Sequence, residues 1–511
     1  MPAAFIYRLR RTYSTQTRVN CNEKIHFVAD RNKRVLIGRE AKEGDANLKY
    51  IVEKNIEPVG YDGLPYGCFD RKTRRTEFTD KDSYSLLLKC SGKTELDPAT
   101  LSDSQKEFLE KLLKNGAIRE AKEGEERALF QEYRMYPTRY RDNAQWSITG
   151  GCNYRCKHCF MSAPDCTYGQ ISTEKCLEIC RQLGECGIKD VSITGGEPLI
   201  RDDFLQIIDA LLENDVMPSG ILTNGALVTE ELLDALISRG VYPHFQLSYD
   251  GVGWHDWLRG VDGAEEKLLH AFELLRARKL RFGCAMTLHR HNIHTIRETV
   301  LKVAEYGGDS LKINVATPEG EWKKQTENAM TAEEGYQAYL DYLPQYIADG
   351  MPISITLDGA FSNYTGSGAF AISDKGEYGF NESACVCGAM RRSVYISPTG
   401  EVYPCQTMMD TNNKDFPNLF ETHLSEILSE SHYSVCATCS VQELSEHNEK
   451  CANCEYFKRC RGGCRAKGFT MDRSDYYHED EDACLYFKNG WAEKFRPYVE
   501  EIKQIKKEKE S

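Results

Sequence analysis

Between about residues 144 and 325 the apolar positions alternate between two periods. Runs rich in strand-forming residues fall at Gln145–Thr149, Asp190–Thr194, Ser219–Thr223, His244–Tyr249, Arg281–Leu288 and Ser310–Val315. Between them, Thr173–Glu185, Asp203–Glu213, Glu230–Ser238, Ala264–Ala277 and Ile296–Glu305 carry apolar residues at helical spacing. Six strands alternating with helices predict an α/β fold with a parallel sheet and right-handed crossovers. Both an open doubly wound sheet and a partial (β/α) barrel satisfy this pattern. In either, chemistry gathers in the loops after the strands' C-terminal ends.

The rest of the chain reads differently. Residues 1–125 mix short strands (Phe5–Thr12, Lys24–Ala29, Val35–Arg39) with a hairpin-like stretch at Gly67–Phe78. Asp80–Ser83 opens an apolar helical run to Leu88. Ser102–Asn115 is a second helix, with Phe108, Leu109, Leu112 and Leu113 on one face, and Asn115-Gly116 stops it before a closing strand at 117–119. This predicts a small winged-helix-like α+β domain, with Glu120–Arg127 as a linker. Residues 326–384 read as a helix and bridging region, 385–490 as a cysteine-dense domain with short strands, and 491–511 as a charged helical tail, solvated or frayed.

Composition sharpens this. A length of 511 residues suits three or more domains, and 41% apolar with 28% charged residues is an ordinary globular balance. The longest mainly apolar stretches, such as Phe204–Leu212, are far too short to cross a bilayer. No apolar region follows Arg8, Arg10 and Arg11, so a cytoplasmic protein with reduced thiols and no membrane partner is expected. A net charge of −13 argues against a nucleic-acid partner, although the first fifty residues carry 11 Lys/Arg against 5 Asp/Glu. Cysteine is the anomaly. Its 21 residues are too dilute for a disulfide scaffold and too many for packing, which points to metal.

Three of these cysteines follow the first strand of the alternating region, as Cys152-x3-Cys156-x2-Cys159 behind Gly150-Gly151. Three thiolates can hold three corners of an iron–sulfur cubane and leave the fourth iron open to substrate. Zinc is the rival, but structural zinc takes four ligands and the loop offers three plus His158. Gly195-Gly196-Glu197-Pro198 follows the second strand, Asn224-Gly225 the third, and Ser248-Tyr249-Asp250-Gly251 the fourth, with Arg259 close behind. Each is weak alone. Together they converge on one rim.

The cysteine loop followed by Gly195-Gly196-Glu197-Pro198 resembles the radical S-adenosylmethionine (SAM) superfamily. The resemblance implies a partial (β/α)6 barrel and a [4Fe–4S] cluster on Cys152, Cys156 and Cys159. The open iron of that cluster chelates SAM, and one-electron reduction yields a 5′-deoxyadenosyl radical that abstracts a substrate hydrogen. It also implies that His158 lies beside the adenine and that Gly195, Gly196 and Glu197 contact the methionine amino group. Asn224 is a further cofactor-binding candidate, and Ser248 and Arg259 match polar positions near the ribose and carboxylate. An external one-electron reductant such as flavodoxin or ferredoxin is expected.

Toward the C-terminus, Cys387-x12-Gly400-x4-Cys405 precedes Cys451-x2-Cys454-x5-Cys460-x3-Cys464 and finally Cys484. Two zinc ribbons are the plain reading. The pattern is similar to the SPASM extension of radical SAM enzymes, which implies two auxiliary [4Fe–4S] clusters and three in all. By that correspondence Cys451, Cys454, Cys460 and Cys484 hold an outer cluster. Cys387, Cys405 and Cys464 hold an inner one, with Cys385 or an open site as its fourth ligand. Cys436 and Cys439 fall outside the pattern. They, like Cys21, Cys68, Cys90, Cys176, Cys180, Cys186 and Cys284, read as core. His289, His291 and His294 read as a solvated loop.

Residues 67–125 resemble the PqqD-like precursor-recognition domain of enzymes that modify ribosomally made peptides. A plain winged-helix DNA module is disfavoured by the protein's acidity. These resemblances imply a peptide maturase that crosslinks a precursor peptide, as a thioether in preference to a carbon–carbon bond. The basic N-terminal residues would suit an acidic leader. The alternatives are an anaerobic sulfatase-maturase-like enzyme and a radical dehydrogenase of a small molecule. Gln406 stands where sulfatase maturases carry a proposed Asp base, and an amide does not usefully accept a proton. A non-catalytic electron carrier would have no need of an open iron. No catalytic base is assigned.

Overall fold

The computed structural model describes residues 48–316, 320–365, 368–377, 379–409 and 416–510. The strands expected at Phe5–Thr12, Lys24–Ala29 and Val35–Arg39, together with Cys21 and most of the basic N-terminal stretch, lie outside these residues. The described chain divides into two compact units, one ending at Asp142 and one beginning at Asn143.

The first unit is built from β1 (Leu48–Val52), β2 (Ile56–Asp62), β3 (Leu64–Asp70), β4 (Arg75–Phe78), α1 (Lys81–Lys89), β5 (Ser91–Leu96), α2 (Asp103–Lys114), β6 (Ile118–Glu120) and β7 (Arg134–Arg139). β5-β1-β6 form one antiparallel sheet and β4-β3-β2-β7 a second, in which β7 runs parallel to β2. Both helices start where the sequence marks them. The Asp80 carboxylate accepts from the Ser83 amide at 2.9 Å, and Ser102 forms a capping box with Gln105. Tyr84, Leu87, Leu109 and Leu112 meet β1 and Ile118 in a small core. The expected linker is tied down. Arg119 grips the Glu125 carboxylate through both terminal nitrogens, at 2.7 and 2.5 Å, and the chain then adds β7. Only Tyr136 and Thr138 of that strand face inward, so its apolar signal is slight.

The second unit begins with seven parallel strands in sequence order: β8 (Asn143–Ser147), β9 (Asp190–Thr194), β10 (Met217–Thr223), β11 (His244–Ser248), β12 (Phe282–Leu288), β13 (Ser310–Val315) and β14 (Ser354–Leu357). The crossover helices are α3 (Thr173–Glu185), α4 (Phe204–Glu213), α5 (Glu230–Ser238), α7 (Ala264–Ala277), α8 (Ile296–Glu305) and α9 (Ala332–Ala348), and the short α6 (His255–Arg259) precedes α7. Most of these bounds match the hydrophobic pattern to the residue. The expectation stopped one strand short, because β14 is only four residues long. The sheet continues through antiparallel β15 (Phe361–Thr365) and β16 (Gly368–Ala371) at one edge. At the other, β17 (Ser393–Ile396) lies parallel to β8 and carries β18 (Val402–Tyr403) antiparallel beside it.

Alternation along the strands gives the sheet two unlike faces. Trp146, Ile193, Phe245, Leu247, Cys284 and Ile313 are fully buried under the helices. Gln145, Ser192, Gln246, Ser248, Thr287 and Asn314 point the other way and keep partial exposure. The concave face is therefore polar and reached by solvent, as an open barrel allows.

The C-terminal helix α10 (Trp491–Glu510) is not the solvated or frayed tail expected. Trp491, Phe495, Val499 and Ile502 are buried in the main core, and the Lys506 ammonium donates to the Asn363 carbonyl of β15 at 2.6 Å. The apolar face repeats at helical spacing but is diluted by charged residues. Phe495→Ala is expected to cost about 3 kcal/mol of stability, read as a lower midpoint in denaturant at unchanged iron content.

Candidate active site and cluster cysteines

The loop after β8 is held on several sides by main chain. The Arg155 and Lys157 amides donate to the carbonyls of Arg259 (3.2 Å) and Leu258 (2.8 Å) in α6. The Glu321 amide donates to the Cys159 carbonyl at 2.9 Å. The Gly196 and Glu197 amides donate to Thr149 (2.8 Å) and Gly151 (2.9 Å). A Cβ at Gly196 would press into the Gly151 carbonyl, well inside van der Waals contact. This glycine is needed for the packing of one loop on another.

Each thiol of Cys152, Cys156 and Cys159 faces an N–H donor: the Tyr154 amide at 3.4 Å, Arg259 Nη1 at 3.6 Å and the Ala163 amide at 3.3 Å. Donors of this kind stabilise thiolates and tune a bound cluster. Burial pushes the Cys152 thiol up to about 12 and also raises Cys156, against the pull of Arg259. Metal loading must therefore displace protons here. Among the described residues no three His, Cys, Asp or Glu side chains converge on a single ion. A cubane does not require that, since its thiolates bind different irons. The donor set fits a [4Fe–4S] cluster.

The remaining rim residues have definite places. Glu197 is fully buried, and its carboxylate accepts from Thr223 Oγ1 (2.8 Å), the Asn224 amide (2.7 Å) and the Leu199 amide (3.1 Å). Burial still pushes it up to about 7. It thereby braces the end of β10 against the loop after β9. Asn224 donates to Asn153 Oδ1 at 2.8 Å and lies 4.0 Å from the Cys152 sulfur. Ser248 stands half-exposed on the concave face at the end of β11. His158 Nδ1 is buried without a partner, and burial, then Arg259, lowers the imidazole to about 3, so the ring is neutral. Arg259 Nε donates to the fully buried Asp250 at 2.6 Å. Burial alone would raise Asp250, but the guanidinium overcomes it and holds the carboxyl well below the usual carboxylate range.

Sequence reasoning passed over Asn153 and gave Asp250 no role, because Asp250-Gly251 reads as a turn. It also passed over Cys166, seven residues beyond Cys159, whose sulfur faces Gly151. The loop of His289, His291 and His294 is not simply solvated. His289 is fully buried, its ring 4.9 Å from Trp257 and 6.1 Å from Trp322, and burial lowers it to about 4. His291 stacks on Trp254 at 5.2 Å.

The C-terminal cysteines form separate groups. Cys451, Cys454, Cys460 and Cys484 line one cavity, together with Asp480. Cys387, Cys405 and Cys464 form a second group: besides burial, Cys387 raises the Cys405 thiol, and Cys387 and Cys405 raise that of Cys464. Asp480 links the two sets: it is 5% exposed, accepts from the Cys464 amide at 2.8 Å, and caps the helix that carries Cys484. Cys385 leans elsewhere. Its sulfur lies 3.5 Å from the Thr438 carbonyl, near Cys439, which is buried in the core with Cys436. Cys68 is half-buried, and Cys90, Cys176, Cys180, Cys186 and Cys284 are buried, as expected of core residues.

This arrangement suits an iron–sulfur centre on a polar rim, and comparison with known proteins points the same way. Residues 146–303 match the radical SAM superfamily and 385–455 the SPASM iron–sulfur cluster-binding domain. The chain thus carries a radical SAM domain followed by a SPASM domain, which makes it an enzyme. It is 27% identical to the AdoMet-dependent heme synthase of Oleidesulfovibrio alaskensis over 67% of this chain and 86% of that protein. It is 28% identical to the mycofactocin maturase MftC of Mycolicibacterium smegmatis over 63% of this chain and 78% of that protein. Its fold resembles Streptococcus suis SuiB, solved with its precursor peptide SuiA, at a TM-score of 0.60 and 15% identity over 85% of this chain and 99% of SuiB. No helix among the described residues is long and apolar enough to cross a membrane.

If Cys152, Cys156 and Cys159 hold a cluster, Gly196→Ala is expected to abolish its electron paramagnetic signal while leaving iron–sulfur signal from the C-terminal cysteines. Reconstituted, dithionite-reduced protein provides the measurement.

Proposed function

We propose that this protein modifies a ribosomally made precursor peptide, closing a crosslink from a carbon of one residue to a Cys sulfur, in preference to a carbon–carbon bond. The observation that carries the reading is the likeness to SuiB. Its share of this chain, 85%, is more than the portion from Asn143 onward, so it reaches into the N-terminal unit. The likeness to a mycofactocin maturase supports a maturase, whichever bond the crosslink uses. A small-molecule reading has its own support in the heme synthases. It leaves the N-terminal unit, with its separate core, without a task.

In this reading three [4Fe–4S] clusters are held on the three cysteine sets, with flavodoxin or ferredoxin as reductant. SAM at the loop cluster supplies hydrogen abstraction, and the auxiliary clusters supply a sink for the surplus electron. The chain's own residues do the rest. Glu197 and Asn224 fix the loops around Cys152. Arg259 supports Cys156 and orients α6. His158, neutral, offers an aromatic face beside the cofactor. Gln406 Oε1 accepts from Gln145 Nε2 at 2.8 Å, so the residue after Cys405 is tied to β8 and does not act as a base. The N-terminal unit binds the leader by strand addition.

Mass spectrometry tests this with peptides encoded by short reading frames beside the gene, offered to the full chain and to residues 143–511. The cut belongs at Asp142, because one at residue 125 would strand β7 without β2. The full chain is expected to hold about 12 irons and to remove a hydrogen pair from one peptide. The truncated enzyme, at equal iron per barrel and equal uncoupled 5′-deoxyadenosine formation, is expected to lose that modification. Equal modification by both rejects leader recognition by this unit.

A further inference from the structure

The concave face of the sheet carries a cation that the site described above does not use. Lys312 stands in the middle of β13. Its neighbours Leu311 and Ile313 are fully buried on the helix-covered face, so strand alternation turns Lys312 inward, where it is exposed. The register fixes its height. Lys312 lies opposite Ala285 of β12, and Ala285 lies opposite Ser248 of β11. Two strand spacings, about 10 Å, separate Lys312 from Ser248 across a single methyl group. Ser248 is two residues from Asp250, whose partner Arg259 touches Cys156.

The surroundings are neutral. Gln246, Ser248, Thr287 and Asn314 share the inner face, and Thr356 of β14 is opposite Lys312 on its other side. No ion pair joins Lys312 to a carboxylate among the described residues. Cys405 and Gln406 meet this face beside β8, the first strand of the parallel sheet. Gln145 of β8, on the same face of the sheet, hydrogen-bonds Gln406, the residue after Cys405. An ammonium group on such a face gains most from an anion that enters with the substrate, because the substrate displaces water and the charge-assisted bond strengthens.

We propose that Lys312 receives a carboxylate of the substrate, and so sets which carbon is presented between the SAM loop and Cys405. This rests on the peptide reading above. The carboxylate is then either the peptide's C-terminus or an acidic side chain beside the modified residue.

The test uses full-length, cluster-loaded wild type, Lys312→Met and Lys312→Arg with the peptide that the wild type modifies. The peptide is offered in three forms: native, C-terminally amidated, and with the flanking Asp or Glu changed to Asn or Gln. Lys312→Met is expected to lower kcat/KM on the native peptide by about ten- to a hundredfold, with Lys312→Arg restoring most of it. Iron content and uncoupled 5′-deoxyadenosine formation should not change. One neutralised peptide should drop the wild type to the level of Lys312→Met and cost that variant nothing more, and which peptide does so identifies the carboxylate. If Lys312→Met matches the wild type, or loses equally on all three peptides, the inference is overturned while the peptide reading stands. If the wild type modifies no peptide, both fall. A Lys312→Met protein short of iron is replaced by Lys312→Gln, judged by the same outcomes.

Discussion

The buried pair of Asp250 and Arg259 is the interaction on which the active rim depends. Asp250 is fully buried at the end of β11, where it accepts from Arg259 and from the Thr287 amide of β12 at 3.0 Å. Its main-chain carbonyl accepts from Asn292 at 2.8 Å. Arg259 passes the connection on, through its side chain to Cys156 and through its carbonyl to Arg155. One ion pair therefore fixes two strand ends, a short helix and the cysteine loop in a common frame. Loss of either partner leaves an uncompensated buried charge, a penalty of about 3–5 kcal/mol, placed where the cluster must be held most rigidly.

The second constraint is the unequal dressing of the sheet's two faces. The outer face is apolar and closed by helices, so it fixes the strands and allows little variation. The inner face carries polar groups, the small residues Gly283 and Ala285, and Lys312, and so leaves room for a substrate. The same strands thus serve as scaffold on one side and as binding surface on the other, and alternate positions do different work.

The fold was legible wherever an element had one buried and one exposed face. Helices α3, α5, α7 and α8 show their apolar stripe directly, and β9 and β13 are bounded by clear turns. Elements that borrow their stability from neighbours were not legible. β14 is four residues of mixed character, β17 is recognisable only once β8 lies beside it, and β7 shows just Tyr136 and Thr138 to its core. The buried face of α10 was hidden among charges that lie on its other side. At the site, the cysteines were legible from spacing, because cluster geometry leaves a linear trace. Asp250, Asn153 and the burial of His289 left none. Their roles come from contacts between loops far apart in sequence. Glu197 shows the same limit. Its motif was plain, but that its carboxylate braces Thr223 and Asn224 could be learned only from the folded chain.

The placement of β17 joins the two halves of the enzyme more closely than a linker would. A strand from the iron–sulfur extension completes the barrel's own sheet by pairing with β8, the strand that leads into the cysteine loop. Without it, β8 would present open amide and carbonyl groups along an edge, the kind of surface that recruits other chains into aggregates. The extension is thus part of the barrel's folding unit. During synthesis the strand that leads into the cysteine loop must wait, unpaired on one side, until about 250 further residues have left the ribosome, which leaves that edge exposed for most of the time the chain is being made.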